Sequence, residues 1–172
     1  MRALFGGRRR SVFGQGKELG VYRNEAFQIT EHIDSLLAAV ADEIDALRRR
    51  ELDPEEAVTR LSAQEALLDE EVARLQAMMA PEELHGLHME YEANLERALR
   101  GIVTAERGCA ITRLPHRPPD DEEPFIYYKR GHSNVTHARM RMAEIVDVLL
   151  VWEPGTPADA SVTARLERTR EV

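Results

Sequence analysis

Val135-Thr-His-Ala138-Arg-Met-Arg-Met142-Ala-Glu-Ile145-Val-Asp-Val-Leu149-Leu-Val-Trp152 is the stretch that decides the fold. Val135, Ala138, Met142, Ile145, Leu149 and Trp152 step 3, 4, 3, 4, 3, an unbroken line of the kind that stitches one helix to others. Ser133 supplies a cap before it, and Glu153-Pro154-Gly155 ends it. The spacing predicts a helix over 133–152 that is greasy along one side and requires helical neighbours to cover that side.

Those neighbours lie upstream. A helix over about 24–50 carries Ala26, Ile29, Ile33, Leu36 with Leu37, Val40, Ile44 and Leu47 at three- and four-residue steps. Arg48, Arg49 and Arg50 fill its last turn, where cations complement the negative helix end. Asp53, Pro54 and Glu56 mark the next start as an N-cap, a first-turn proline and a capping carboxylate. This helix, over 54–79, has Val58, Leu61, Leu68, Val72, Leu75 and Met79 on its stripe, with Gln64 and Glu65 interrupting. A third, over 81–107, opens on Pro81-Glu82-Glu83, turns Leu84, Leu87, Tyr91, Leu95, Leu99 and Ile102 inward, and stops at Gly108. Near-equal rods joined by a few residues predict an up-down-up array.

Residues 108–132 break the pattern. Pro115, Pro118, Pro119 and Pro124 do not fit a helix interior, and Phe125-Ile-Tyr-Tyr reads as an extended piece. The expected architecture is therefore all-α, four long helices with a Pro-rich crossover before the fourth, whose direction the sequence leaves open. The bundle occupies 21–153, preceded by a flexible basic arm over 1–20 and followed by a tail over 154–172 with at most a weak helix.

Charge and composition bound the function. The net charge of −8 is uneven: residues 1–20 sum to +4 and residues 21–108 to −11. So acidic a body repels phosphate backbones, which argues against nucleic acid as a partner. One cysteine, Cys109, excludes an internal disulfide. The longest apolar run, Ile145 to Trp152, contains Asp147 and falls short of the ~20 residues a membrane span needs. The N-terminus has paired arginines but no apolar stretch or small-residue cleavage site, so the cytoplasm is the expected compartment.

A few residues have chemistry to offer. Glu82 and His85 have the Glu-x-x-His spacing that sets a carboxylate and an imidazole on one helix face, and His88 with Glu92 forms an i, i+4 pair. Di-iron bundles use two Glu-x-x-His motifs, and no second one occurs here. The same glutamates also suit a helix N-terminus without any ligand. Glu65 stands where the core is expected, with His32, His137 and Arg139 as candidate partners, and completes a candidate metal or small-ligand set. No cofactor is required by these residues. Phe125, Tyr127, Tyr128 and Trp152 are candidate partner contacts, or else packing over an uncovered bundle end. Arg8, Arg9 and Arg10, beside Leu4, Phe5 and Phe13, are candidates for a weak membrane-surface or anionic contact.

There is no Gly-rich phosphate loop and no nucleophile elbow. The reading that follows is a non-catalytic protein-interaction or oligomeric scaffold module working through a protein partner or self-association. The alternative is a metal- or small-molecule-binding bundle with its His/Glu site on the third helix.

Overall fold

A computed structural model describes residues 12–116 and 122–154, with side chains from residue 18 onward. Four helices account for nearly all of it: α1 (Val12–Arg49), α2 (Pro54–Ala77), α3 (His85–Thr112) and α4 (Pro124–Val151), with a single 3-10 turn, Glu82–Leu84, leading into α3. No strand occurs among the described residues. The chain is an all-α bundle.

α1 and α3 each lie against both α2 and α4, and touch each other at a few positions. Side-chain pairs give the directions. His32 meets Glu71 and Glu43 meets Gln64, so numbers rise along α1 as they fall along α2. Thr112 with Tyr128, Arg97 with Asn134 and Glu90 with Arg141 show the same opposition between α3 and α4. Asp34 with Arg139 and Asp45 with His132 show it between α1 and α4. The fourth helix, left open by the sequence, is antiparallel to the third.

The core is the line of side chains at three- and four-residue steps. Ile29, Ile33, Leu37, Val40 and Ile44 of α1 are fully buried, as are Leu61 and Leu68 of α2 and Ile102 of α3. The whole expected seam of α4, Val135 to Trp152, is buried. Burying one such side chain stabilises the fold by roughly 1.5–3 kcal/mol, so the seams together outweigh any single polar contact.

Several boundaries differ from those the sequence predicts. α1 begins at Val12 rather than near Asn24, because Leu19 and Tyr22 extend its buried line by two turns. The arm as drawn over 1–20 thus loses its second half to a helix, while Arg8, Arg9 and Arg10 and the tail from Gly155 lie outside the described residues. α3 runs through Gly108 to Thr112, and α4 starts at Pro124, not near Ser133. The connection shrinks from 108–132 to 113–123. Glu123 is the N-cap and Pro124 takes the first helical position, so its missing N–H costs nothing. Phe125-Ile-Tyr-Tyr is helical, not extended, because Tyr128 and Gly131 carry the α4 seam back in steps of 3 and 4.

On α2 the expected Leu61, Leu68 and Leu75 are buried, but Ala57, Glu71 and Met78 replace Val58, Val72 and Met79. Gln64 is partly buried, whereas Val58 and Val72 flank the core and Met79 is 92% exposed. Asp53 caps this helix as expected, its Oδ1 accepting from the backbone N–H of Glu55 at 2.8 Å.

Small residues set the closest approach. A Cβ built on Gly101 would stand 2.9 Å from the carbonyl oxygen of Gly131, and one on Gly108 would stand 2.7 Å from the Tyr128 ring. At Gly101 and Gly131 α3 and α4 therefore touch backbone to backbone, while Gly108, a stop signal in the sequence, lies within the helix and leaves room for the Tyr128 ring. No helix among the described residues is long and apolar enough to cross a membrane.

Candidate functional site

The Glu/His cluster at the start of α3 is split by burial. Glu82 and His85 are exposed, while His88 is buried and Glu92 half-buried. Tyr22 Oη lies 3.0 Å from His88 Nδ1. Burial, then the charges of Tyr91 and Glu92, push the Tyr22 phenol well above its ordinary value, so it keeps its proton and donates it. Nδ1 then accepts, which leaves the His88 proton on Nε2, 3.6 Å from Glu92 Oε1. Burial lowers the His88 pKa, with Glu92 opposing and His85 adding to the shift. The imidazole is neutral near pH 7.

Glu65 does not join that cluster. Burial first, then Glu106 and Asp69, raise its carboxyl pKa, which places it beside Glu106 on α3. Glu106 is eighteen residues from His88 along one helix, about 27 Å at 1.5 Å per residue. Of the three suggested partners of Glu65, His32 and Arg139 are bonded to Glu71 and Asp34 instead. Among the described residues no three His, Cys, Asp or Glu side chains gather as metal ligands.

Glu71 is the carboxylate that the sequence reading missed. It is buried on the α2 seam, its Oε1 2.6 Å from His32 Nδ1 and its Oε2 2.8 Å from Arg74 Nη1. Next to it the Tyr91 hydroxyl and Thr30 Oγ1 are 2.7 Å apart. Thr30 donates to the Ala26 carbonyl, so Tyr91 is the donor in that pair. Burial pushes the Tyr91 phenol up to about 12. A signal for Glu71 existed: it lies three residues after Leu68 and four before Leu75, the step the seam demands. Gln64, one heptad earlier, donates to Glu43 Oε1 at 3.2 Å.

The aromatic candidates divide as well. Tyr127, Tyr128 and Trp152 are buried against their own chain, so they seal the bundle rather than face a partner. Phe125 remains 49% exposed, with the Arg48 guanidinium 5.8 Å above its ring. Tyr128 shares a 2.9 Å hydrogen bond with Thr112, and burial raises its phenol to about 12. Cys109 is buried beside it, its thiol pKa raised by burial, which makes it a poor nucleophile.

Two surface features stand at opposite ends of the bundle. At the α1–α2 turn a cleft of about 880 Å³ is bounded by Arg48, Arg50, Leu52, Pro124, Phe125 and Tyr128, among others. At the α2–α3 turn a smaller notch of about 310 Å³ lies between α1 and Met79, with Val21 exposed on its wall and Glu18 and Glu25 at its rim.

Against known proteins, no family model matches this chain, and no curated protein or solved structure matches it either.

Proposed function

We propose that this chain is a non-catalytic contact module that self-associates through the α2–α3 turn end of the bundle. The observation that carries the reading is Met79, a large apolar side chain 92% exposed at the tip of that turn. A notch with an exposed Val21 stands next to it. A projecting apolar residue beside a notch that can receive it is self-complementary under a two-fold axis, each copy inserting into the other's gap. Glu18 and Glu25 at the rim would meet their symmetry mates, so association strengthens as salt screens them.

The interior supports the non-catalytic half of the reading. Tyr22 with His88, Tyr91 with Thr30, and Glu71 with His32 and Arg74 are each bonded within the chain, as structural polar groups are. His88, the central residue of the metal-binding alternative, has its accepting nitrogen taken by Tyr22.

Light scattering coupled to size exclusion tests this directly. The expected result is a concentration-dependent dimer that grows with added salt, and a monomer for Met79→Asp. A wild-type chain that stays monomeric at its highest soluble concentration in both salt conditions overturns the proposal.

A further inference from the structure

The cleft at the α1–α2 turn carries a second inference, independent of self-association at the other end. Its volume of about 880 Å³ falls within the ~300–1,000 Å³ of small-molecule sites. Leu47, Leu52, Pro54, Pro124 and the half-exposed ring of Phe125 give it flat apolar walls.

Its charged residues are not equivalent. Glu51 accepts from Arg49 Nε at 2.8 Å, Asp53 is held by the N-terminal N–H groups of α2, and Glu123 also has an interaction of its own. The cations are less satisfied. Arg48 gives Nη1 to Asp45, but its Nε is buried with no acceptor. Arg50 has no hydrogen-bond or ion-pair partner among the described residues for its side chain. Arg50 also has φ +61°, the left-handed conformation in which glycine is the ordinary residue. The cleft thus holds one guanidinium without a partner among the described residues, Arg50, and a second, Arg48, that shares its charge with Asp45 beside an aromatic face. Guanidinium forks suit carboxylates and phosphates alike. Set against the two cations, the three acidic side chains of the lining leave it net negative, so a second negative charge on a ligand is disfavoured and the monoanionic carboxylate is preferred to a dianion.

We infer that this cleft binds a small aromatic monocarboxylate, its ring against Phe125 and its carboxylate between Arg50 and Arg48. The probe is 2-naphthoate, titrated into the full chain by calorimetry, with the neutral 2-naphthalenemethanol and inorganic phosphate as comparisons. Arg50→Gly removes the cation at a position where glycine relieves strain, so loss of binding there is not loss of fold. The expected result is saturable one-to-one binding of naphthoate, weakened roughly tenfold in Arg50→Gly and partly kept in Arg50→Lys, with the alcohol and phosphate both weaker. Absence of naphthoate binding overturns the inference, as does equal affinity in Arg50→Gly, or an alcohol or phosphate that binds as well as naphthoate.

Discussion

Gly101 and Gly131 bring α3 and α4 together so closely that a Cβ on Gly131 would stand 2.7 Å from the Gly101 carbonyl oxygen. Backbone on both sides leaves nothing flexible to give way. Gly131→Ala gains ~1 kcal/mol of helix propensity, but forces the helices apart at an overpacking cost of about 1–3 kcal/mol. A lower urea midpoint is expected, whereas Gly20→Ala, which meets nothing within 4 Å, is expected to raise it. Equal responses from the two variants would contradict the close approach.

Arg50 ends α1 in a left-handed turn, with the Glu51 N–H bonded to the Ala46 carbonyl and its own N–H to that of Leu47. That six-residue closure is the helix-ending motif in which glycine is favoured. Arg50→Gly is expected to stabilise the chain by about 1 kcal/mol, since a side chain in this region costs ~1–2 kcal/mol. A thermal melt reads the sign. An unchanged or lowered melting temperature would argue against strain at this residue.

His88 predicts a pH dependence. Burial holds its pKa below the ordinary value, so the unfolded chain takes up the proton first as pH falls. The stability that rests on neutral His88 is complete above the unfolded value of ~6.5, and is lost as pH drops from there through the lowered folded value. Urea midpoints measured from pH 8 to pH 5 are expected to fall, and to fall less in His88→Gln. Superimposable profiles for the two proteins would refute the assignment.

Glu65 has the opposite sign. Its carboxyl pKa is raised by burial and then by Glu106 and Asp69, so the ionised form is the one the fold disfavours. That penalty is present above the raised value and disappears as pH falls toward the unfolded value of ~4.3. Glu65→Gln is expected to be more stable than the native chain at pH 8, with the gap closing near pH 4. A gap that persists at pH 4 would point to packing instead of charge.

The parts of the fold that were legible in the sequence are those where burial follows apolar character. The α4 seam from Val135 to Trp152 and the α1 line from Ala26 to Leu47 were readable because every third or fourth residue is apolar. On α2 the leucines Leu61, Leu68 and Leu75 were legible, and the other three positions were off by one residue. Val58, Val72 and Met79 attract a hydrophobic reading, yet the buried positions are Ala57, Glu71 and Met78, with Gln64 partly buried. The step pattern outranks side-chain type there because a carboxylate with a histidine and an arginine beside it tolerates burial. The prolines of 108–132 suggested a longer break than exists, since Pro124 begins a helix as readily as it ends one. Phe125 alone of the four aromatic candidates is exposed; exposure depends on the start of α4, which that misreading hid.

Gln64 and Glu71 also have a consequence for how α2 finds its place along α1. Leu61, Leu68 and Leu75 repeat every seven residues, so a slide of one heptad would exchange leucine for leucine with little apolar cost. Moved one way, α2 would set Glu71 beside Glu43, whose carboxyl is already destabilised by burial, and like charges would share a half-dry site. Moved the other way, it would set Ala57 there and leave Glu43 without the amide that now donates to it. Leucines hold this hairpin shut, but two polar side chains act as its ratchet teeth and permit a single alignment.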